Sequence, residues 1–441
     1  MRILALDVGT SSVKAAVLDA ATGDHVGPIA RCEYELDSPV LEAAEIPAER
    51  LWGAVTSAAR QAVRHTGVVA GGDVEGIGLS VMTPALVLLD KSDRPLFPII
   101  THLDRRSRPA ARQVQGEVGA EFLAETGNRP LPGGISALCW RQLVSEEPYL
   151  THDVGAYLHV NGWLALRMTG EKGFDKGNAC FTGLYDALTE HHWAPRWLNY
   201  FQVDPAWLPP VHSGDGTIGQ VRSAVAAELG VPAGIPVKLG TADTSCAMLA
   251  ANMGEGDLLH VVGTTQVLAT IVRTPIPAAQ RVTRYFGVGD LFLHVAHNPV
   301  GGVALEWLHK LCFRDVPSEA FYHEVIEEAR CRRTRVTLDP PFLGGDRLQI
   351  EAHRAAFRDL ELHTDRLDLL AALLQAMEKG HRDTLANLGP FGPYRRIILT
   401  GGGADVVKRL LPEYHAVEPL EEGSLRGVAW LFQARPAAAA R

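Results

Sequence analysis

One ten-residue segment occurs twice in this chain, 254 positions apart. Val8-Gly9-Thr10-Ser11-Ser12-Val13-Lys14-Ala15-Ala16-Val17 aligns with Val262-Gly263-Thr264-Thr265-Gln266-Val267-Leu268-Ala269-Thr270-Ile271, and five of the ten positions are identical. In each copy an apolar run enters a Gly-Thr turn and a second apolar run leaves it, which is the pattern of a hairpin. Two unrelated hairpins built from common residues would look the same locally. A repeat at this distance instead predicts two related domains, each presenting one turn to a shared cleft. The length of 441 residues holds two or three domains.

Such a turn suits a phosphate. Glycine lets the backbone approach an anion closely, successive N–H groups converge on it, and Thr or Ser hydroxyls add donors. Asp7 precedes the first turn, where its carboxylate can meet a magnesium ion against those phosphates. Lys14 adds a point charge. The chain has no Gly-x4-Gly-Lys-Ser/Thr sequence and no Gly-x-Gly-x-x-Gly after a strand, which disfavours a P-loop enzyme and a dinucleotide fold.

Strands and helices alternate throughout, arguing for α/β in both halves. Ile3–Leu6, Val13–Leu18, Gly76–Val81, Ala85–Asp90 and Arg396–Thr400 read as strands. Pro47–His65 reads as a helix with Leu51, Val55, Ala58 and Ala62 on one face. Val154–Met168, Leu367–Asn387 and Ala404–Leu411 also read as helices, and Ile218–Gly230 as a strand then a helix. Pro195–Pro210 reads as a surface connection. Pro232–Pro236 interrupts the pattern, so the domains are expected at 1–236 and 237–435, with the hinge at the break and a flexible tail at 436–441. The six cysteines form no C-x-x-C pair, and a net charge of −9 without a basic block excludes nucleic acid and anionic membrane as natural partners. With no 18-residue apolar run and no signal-peptide core, a reduced, cytoplasmic protein is expected.

The motifs taken in order resemble the FGGY family of carbohydrate kinases, within the sugar-kinase and actin-like ATPase superfamily. Asp7-Val8-Gly9-Thr10-Ser11-Ser12-Val13-Lys14 resembles the family's first phosphate motif and Gly263-Thr264-Thr265 its second. Leu88-Leu89-Asp90, Pro95-Leu96 and Asp104-Arg105-Arg106-Ser107 resemble its substrate-side segment. Asp175-Lys176-Gly177-Asn178-Ala179 resembles a family turn, and Gly240-Thr241-Ala242-Asp243 the strand end that carries the catalytic Asp. Thr400-Gly401-Gly402-Gly403-Ala404 resembles the adenosine motif. The resemblance runs from Met1 to about Phe432. It departs from the family at His102, where Trp is common, at Met82-Thr83-Pro84 in place of Met-His-Gly, and at Ala137 in place of Lys.

This resemblance implies two actin-like ATPase (ribonuclease H-like) domains around an interdomain cleft, with ATP and Mg2+ as cofactors. It implies phosphorylation of a small sugar or polyol, with a ketopentose such as xylulose leading and glycerol, ribulose or another ketose as alternatives. Asp243 is then the general base and, with Asp7, a metal residue. Its competing reading is a helix N-cap, because Thr244-Ser245 can begin a helix. Gly9, Thr10, Ser11, Ser12, Lys14, Gly263, Thr264 and Thr265 are expected at the phosphates, and Gly401, Gly402, Gly403 and Ala404 at adenosine. Met82, Thr83, Asp104, Arg105 and Asp243 are expected at the sugar. Asp175 and Asn178 read as structural turn formers, and homodimerisation stays open. A different class, an actin- or chaperone-like ATPase without sugar transfer, shares the architecture and is separated by whether ATP turnover depends on sugar.

Overall fold

The computed structural model describes residues 1–65, 73–263, 265–343, 348–389, 393–411 and 417–433. Strands β1 (Arg2–Val8), β2 (Ser12–Asp19), β3 (Ala30–Glu33), β4 (Val74–Val81), β5 (Thr217–Gln220) and β6 (Pro236–Ala242) form one sheet in the order β5-β6-β4-β1-β2-β3. Strands β7 (Asp257–Val262), β8 (Gln266–Val272), β9 (Val282–Tyr285), β10 (Phe292–Asn298), β11 (Arg396–Thr400) and β12 (Val417–Pro419) form a second in the order β9-β10-β8-β7-β11-β12. Five strands of each superpose in order and sense. β1-β2-β3 and β7-β8-β10 are antiparallel, while β4 and β6, like β11 and β12, run parallel to the central strand. The repeat is therefore a repeat of topology, as two ribonuclease H-like halves require. The two hairpins differ by one residue. Val8 pairs with Val13, but Val262 pairs with Gln266, so the second turn is one residue tighter.

Strand alternation explains why β1 is apolar at nearly every position. Leu4, Leu6 and Val8 enter one core with the helix Ala48–His65, whereas Ile3 and Ala5 point the other way. That second face is shared between the halves. Ile3, Ala5, Ala16 and Leu18 join Met248 and Leu249, Leu425, Val428 and Leu431, and Leu259, Ala269, Leu293 and Val295 of the second sheet. A third core lies beneath the helices Gly302–Cys312, Arg366–Leu388 and Ala404–Leu410. Arg366–Leu388 starts from a capping box in which Asp365 accepts from the Leu367 and Asp368 N–H groups, worth about 1 kcal/mol.

Several expectations are corrected by packing. The break at Pro232–Pro236 is not the domain boundary, because β6 pairs in parallel with β4 inside the first sheet. The chain leaves the first half after the helix Asp243–Ala250 and comes back through residues 420–423. Val154–Met168 divides into a strand, Val154–His159, and a helix, Val160–Thr169; the first part pairs with Ala85–Asp90 and its β-branched and aromatic residues fit that sheet. Pro195–Pro210 contains the helix Pro195–Phe201, opened by Pro at its first turn and anchored by buried Trp197, Leu198 and Phe201. Residues 436–441 lie outside the described residues. Among the described residues, no helix is long and apolar enough to cross a membrane.

Four buried imidazoles make stability depend on pH. Burial lowers His159, His294 and His381 to about 4 and His260 to about 3. Each is depressed below its unfolded value, so its contribution is complete above about pH 6.5 and fades as acid charges the ring. Asp7 and Asp175 are raised by burial and act in the opposite sense, but they are two against four. The melting temperature should fall between pH 7 and pH 5. An equal or higher value at pH 5 would show that these rings are not held neutral.

Candidate active site

The two sheets face one another across a groove that contains two cavities, and Asp243 belongs to both. The first, about 290 Å³, is walled by Thr83, His102, Arg105, Asn128 and Arg129 of the first half and by Gly263, Thr265, Arg284 and His297 of the second. The second, about 670 Å³, is walled by Lys14, Thr400, Gly401, Gly402, Ala404 and residues 419–424.

Asp243 is placed by a kink in β6. Gly240 takes φ +71, and its N–H donates to the Gly214 carbonyl at 2.9 Å. A Cβ there would stand 1.8 Å from the Leu79 carbonyl oxygen, so only glycine allows this register shift against β4. Asp243 follows as the first residue of the helix Asp243–Ala250 and is exposed. Among the described residues its Oδ1 accepts only from its neighbour, from Thr244 N at 2.6 Å and Thr244 Oγ1 at 3.1 Å. The N-cap position is held by Ala242 instead, and the Asp243 carboxylate faces the groove.

Asp7 is the penultimate residue of β1, two strands from β6 across β4, and is buried. Its Oδ1 accepts from Ser80 Oγ at 2.8 Å and its Oδ2 from Ser424 Oγ at 2.7 Å. Burial pushes its pKa up to about 6; the two serine bonds oppose this and the charge of Asp243 adds to it. A buried carboxylate with a second carboxylate close enough to raise it is a receptive place for a divalent cation. Lys14 reaches the same groove and holds Glu422 Oε2 at 2.5 Å.

The Gly motifs are placed unequally. Gly401 takes φ +99, and a Cβ on it would stand 2.3 Å from the Val262 carbonyl oxygen, so the bend that opens the second cavity depends on glycine here. Gly402 and Ala404 line that cavity as well, but Gly403 does not: its N–H donates to Val262 O at 3.1 Å and it packs on Gly302. In the second hairpin Gly263 and Thr265 line the first cavity; Thr264 lies outside the described residues. Gly9, Thr10, Ser11 and Ser12 form the first turn, closed by Gly9 N to Ser12 O at 3.0 Å, and line neither cavity.

On the expected sugar side, Thr83 and Arg105 line the first cavity and Met82 and Asp104 do not. Met82 is buried in the core beside β1, where its N–H meets the Val8 carbonyl at 2.8 Å. Asp104 is consumed by the Ala44 backbone and by Arg106, accepting from Ala44 N at 3.0 Å and from Arg106 N and Nε at 2.9 Å each. Asp175 is the more connected carboxylate. It caps the turn at Gly177 and Asn178 and accepts from Asn161 Nδ2 at 2.9 Å, Asn178 Nδ2 at 2.6 Å and Thr241 Oγ1 at 2.8 Å. Asn178 Oδ1 then accepts from Thr83 Oγ1 at 2.5 Å. These turn residues therefore set the orientation of a cavity wall.

Asn128, Arg129, Arg284 and Ser424 were not legible as site residues. They stand on a helix exit, an edge strand and a chain crossing, without a local motif, and reach the groove only through the fold.

A sequence model of the FGGY family of carbohydrate kinases, N-terminal domain, matches residues 2–250. The L-xylulose/3-keto-L-gulonate kinase of Escherichia coli (strain K12) is 29% identical over 93% of this chain and 82% of that protein. The xylulose kinase of Streptomyces coelicolor is 29% identical over 91% of this chain and 80% of its own length. Among solved structures, xylulose kinase from Rhodospirillum rubrum superposes with a TM-score of 0.87 at 25% identity, over 98% of this chain and 89% of that one.

Proposed function

The chain belongs to the FGGY family of carbohydrate kinases, and from that premise we propose how its halves divide the transfer of a phosphoryl group from ATP to a small sugar. The acceptor occupies the first cavity and the nucleotide the second. The observation that carries this reading is that Asp243 lines both. Its carboxylate takes the proton of the acceptor hydroxyl as the new O–P bond forms and the bond to the β-phosphate bridging oxygen breaks, releasing ADP. General-base help of this kind is worth about 10²–10⁴-fold. Gly401, Gly402 and Ala404 lie against the adenosine, and Gly263 and Thr265 meet the phosphates from the acceptor side. Lys14, at present on Glu422, is within the cleft and offers a cation to the phosphate chain.

Asp7 fits a magnesium site. Its carboxylate is buried, held by two serine hydroxyls and burdened by the Asp243 charge. Magnesium bound there would neutralise charge on the phosphates. The protein's own part is to hold the Asp7 carboxylate in place through Ser80 and Ser424.

A ketopentose such as xylulose is the leading acceptor, and the cytoplasm, where ATP and free thiols coexist, is the expected compartment. The test is ADP release against a panel of pentuloses, hexuloses and polyols. Sugar-dependent release supports the kinase. Equal ATP turnover with and without every acceptor would instead favour an ATPase that moves domains.

A further inference from the structure

The acceptor cavity has an unbalanced lining. Among the described residues it carries three guanidinium groups, Arg105, Arg129 and Arg284, and one carboxylate, Asp243. Every hydroxyl of a neutral polyol carries one proton to donate as well as lone pairs that accept. Its binding site needs carboxylates or amide oxygens to receive those hydroxyl protons. Here Asp104 is spent on Arg106 and the backbone. The side-chain amide acceptor left is Asn128 Oδ1, which is buried without a partner among the described residues while Asn128 Nδ2 donates to Thr126 O and Thr283 O. A cavity with three cationic donors against one carboxylate fits a ligand with one hydroxyl-bearing end and one end that only accepts.

The guanidiniums are placed for that end. Arg284 lies on β9 and is 2% exposed. Its Nη1 donates to Ser245 Oγ and to its neighbour's carbonyl, Tyr285 O, at 2.9 Å each, and its Cζ lies 5.4 Å from the centre of the Phe181 ring. Asp175 and Asp243 are near enough to act on it electrostatically, yet it forms no ion pair with any described residue. A buried cation in that condition is costly unless an anion meets it. Arg129 comes from the other half. Its Nη1 makes one long bond, 3.3 Å to Leu348 O, and it too has no ion pair with a described residue. The two halves thus each contribute one cation to the same cavity.

Resting on the kinase reading above, we propose that the preferred acceptor is a sugar acid, a polyhydroxy or keto-acid of five or six carbons. Its carboxylate is held between Arg129 and Arg284, one hydroxyl is received by Asn128 Oδ1, and the reacting hydroxyl lies at Asp243. Arg129 and Arg284 are then the specificity residues. Arginine suits the role because its planar fork meets a carboxylate with two parallel bonds.

The experiment compares five- and six-carbon aldonates and 2-keto-aldonates with the neutral ketose or alditol of the same length. It reads kcat/KM for ADP release and, separately, the rise in melting temperature without ATP. The best acid should exceed the best neutral acceptor at least tenfold in kcat/KM and should raise the melting temperature more. Arg129→Gln should cut kcat/KM for the acid at least tenfold, the change expected on losing a hydrogen bond to a charged group, and bring the acid-to-neutral ratio towards one. Arg129→Lys should restore part of it. Arg129 is half-buried, so this variant is expected to fold where an Arg284 variant need not. A neutral ketose that matches the acids overturns the proposal. So does an equal loss on both classes in Arg129→Gln, which would assign the guanidinium to the transferring phosphoryl group. If acids raise the melting temperature but no acceptor releases ADP, the kinase reading fails and the acid site stands. If a ketose is phosphorylated while acids neither react nor bind, the acid site fails and the kinase stands.

Discussion

Asp243→Asn should fold, bind ATP and lose sugar phosphorylation by at least about 10²-fold. The variant is a clean test because Asp243 is exposed and, among the described residues, bonded only to Thr244. An Asn Oδ1 can keep accepting from the Thr244 N–H, so neither the helix start nor the Gly240 kink loses anything. What disappears is the capacity to take a proton. KM for ATP should change little, and the loss should appear in kcat. The charge of Asp243 also raises Asp7, so the substitution should make Asp7 easier to ionise. Near-normal turnover in the folded variant would remove Asp243 as the base, and the cavity junction would then need another proton acceptor.

Asp7→Asn should have the second-largest effect, and its signature differs. The magnesium requirement should move to higher concentration and the rate at saturating ATP should fall by about 10²-fold, the scale of several kcal/mol of lost charge stabilisation. Stability should go the other way. Burial holds the Asp7 carboxyl near pH 6, above its unfolded value, so its contribution to stability is lost as pH rises through 6 and its charged form opposes folding at pH 7.5. A neutral Asn removes that opposition while its Oδ1 can accept from Ser80 Oγ or Ser424 Oγ. The melting temperature at pH 7.5 should therefore stay level or rise while activity collapses. An unchanged magnesium titration with an unchanged rate would place the cation elsewhere. A large drop in melting temperature would mean that the two serine bonds matter more to the fold than the buried charge costs it.

The site and the scaffold were readable to different depths. β1, β2 and the helix Ala48–His65 were visible because alternation and 3.6-residue spacing record which faces are buried, and the observed spans Arg2–Val8, Ser12–Asp19 and Ala48–His65 lie close to the expected ones. Val154–His159 was misread as helix because an apolar run of that length carries no period that separates a buried strand from a helix. Among the site residues, Thr83, Arg105, Gly401 and Asp243 sit in the groove, whereas Met82 and Asp104, drawn from the same motifs, turn into the core and into a loop. A motif specifies backbone position. Which way its side chains point is decided by what packs against them.

What the sequence by itself determined is local and repeated: two hairpins at a spacing of 254, a glycine where φ must be positive, a carboxylate at the end of a strand. Each follows from steric and hydrogen-bonding rules that act over a few residues. Only the tertiary structure brought Ser424 to Asp7 and Glu422 to Lys14, across more than 400 positions of chain. It likewise put Arg129 and Arg284, from opposite halves, against one cavity. Such contacts leave no pattern in either segment, because their energy depends on the shape and desolvation of a groove that exists only once both sheets have packed against their shared core.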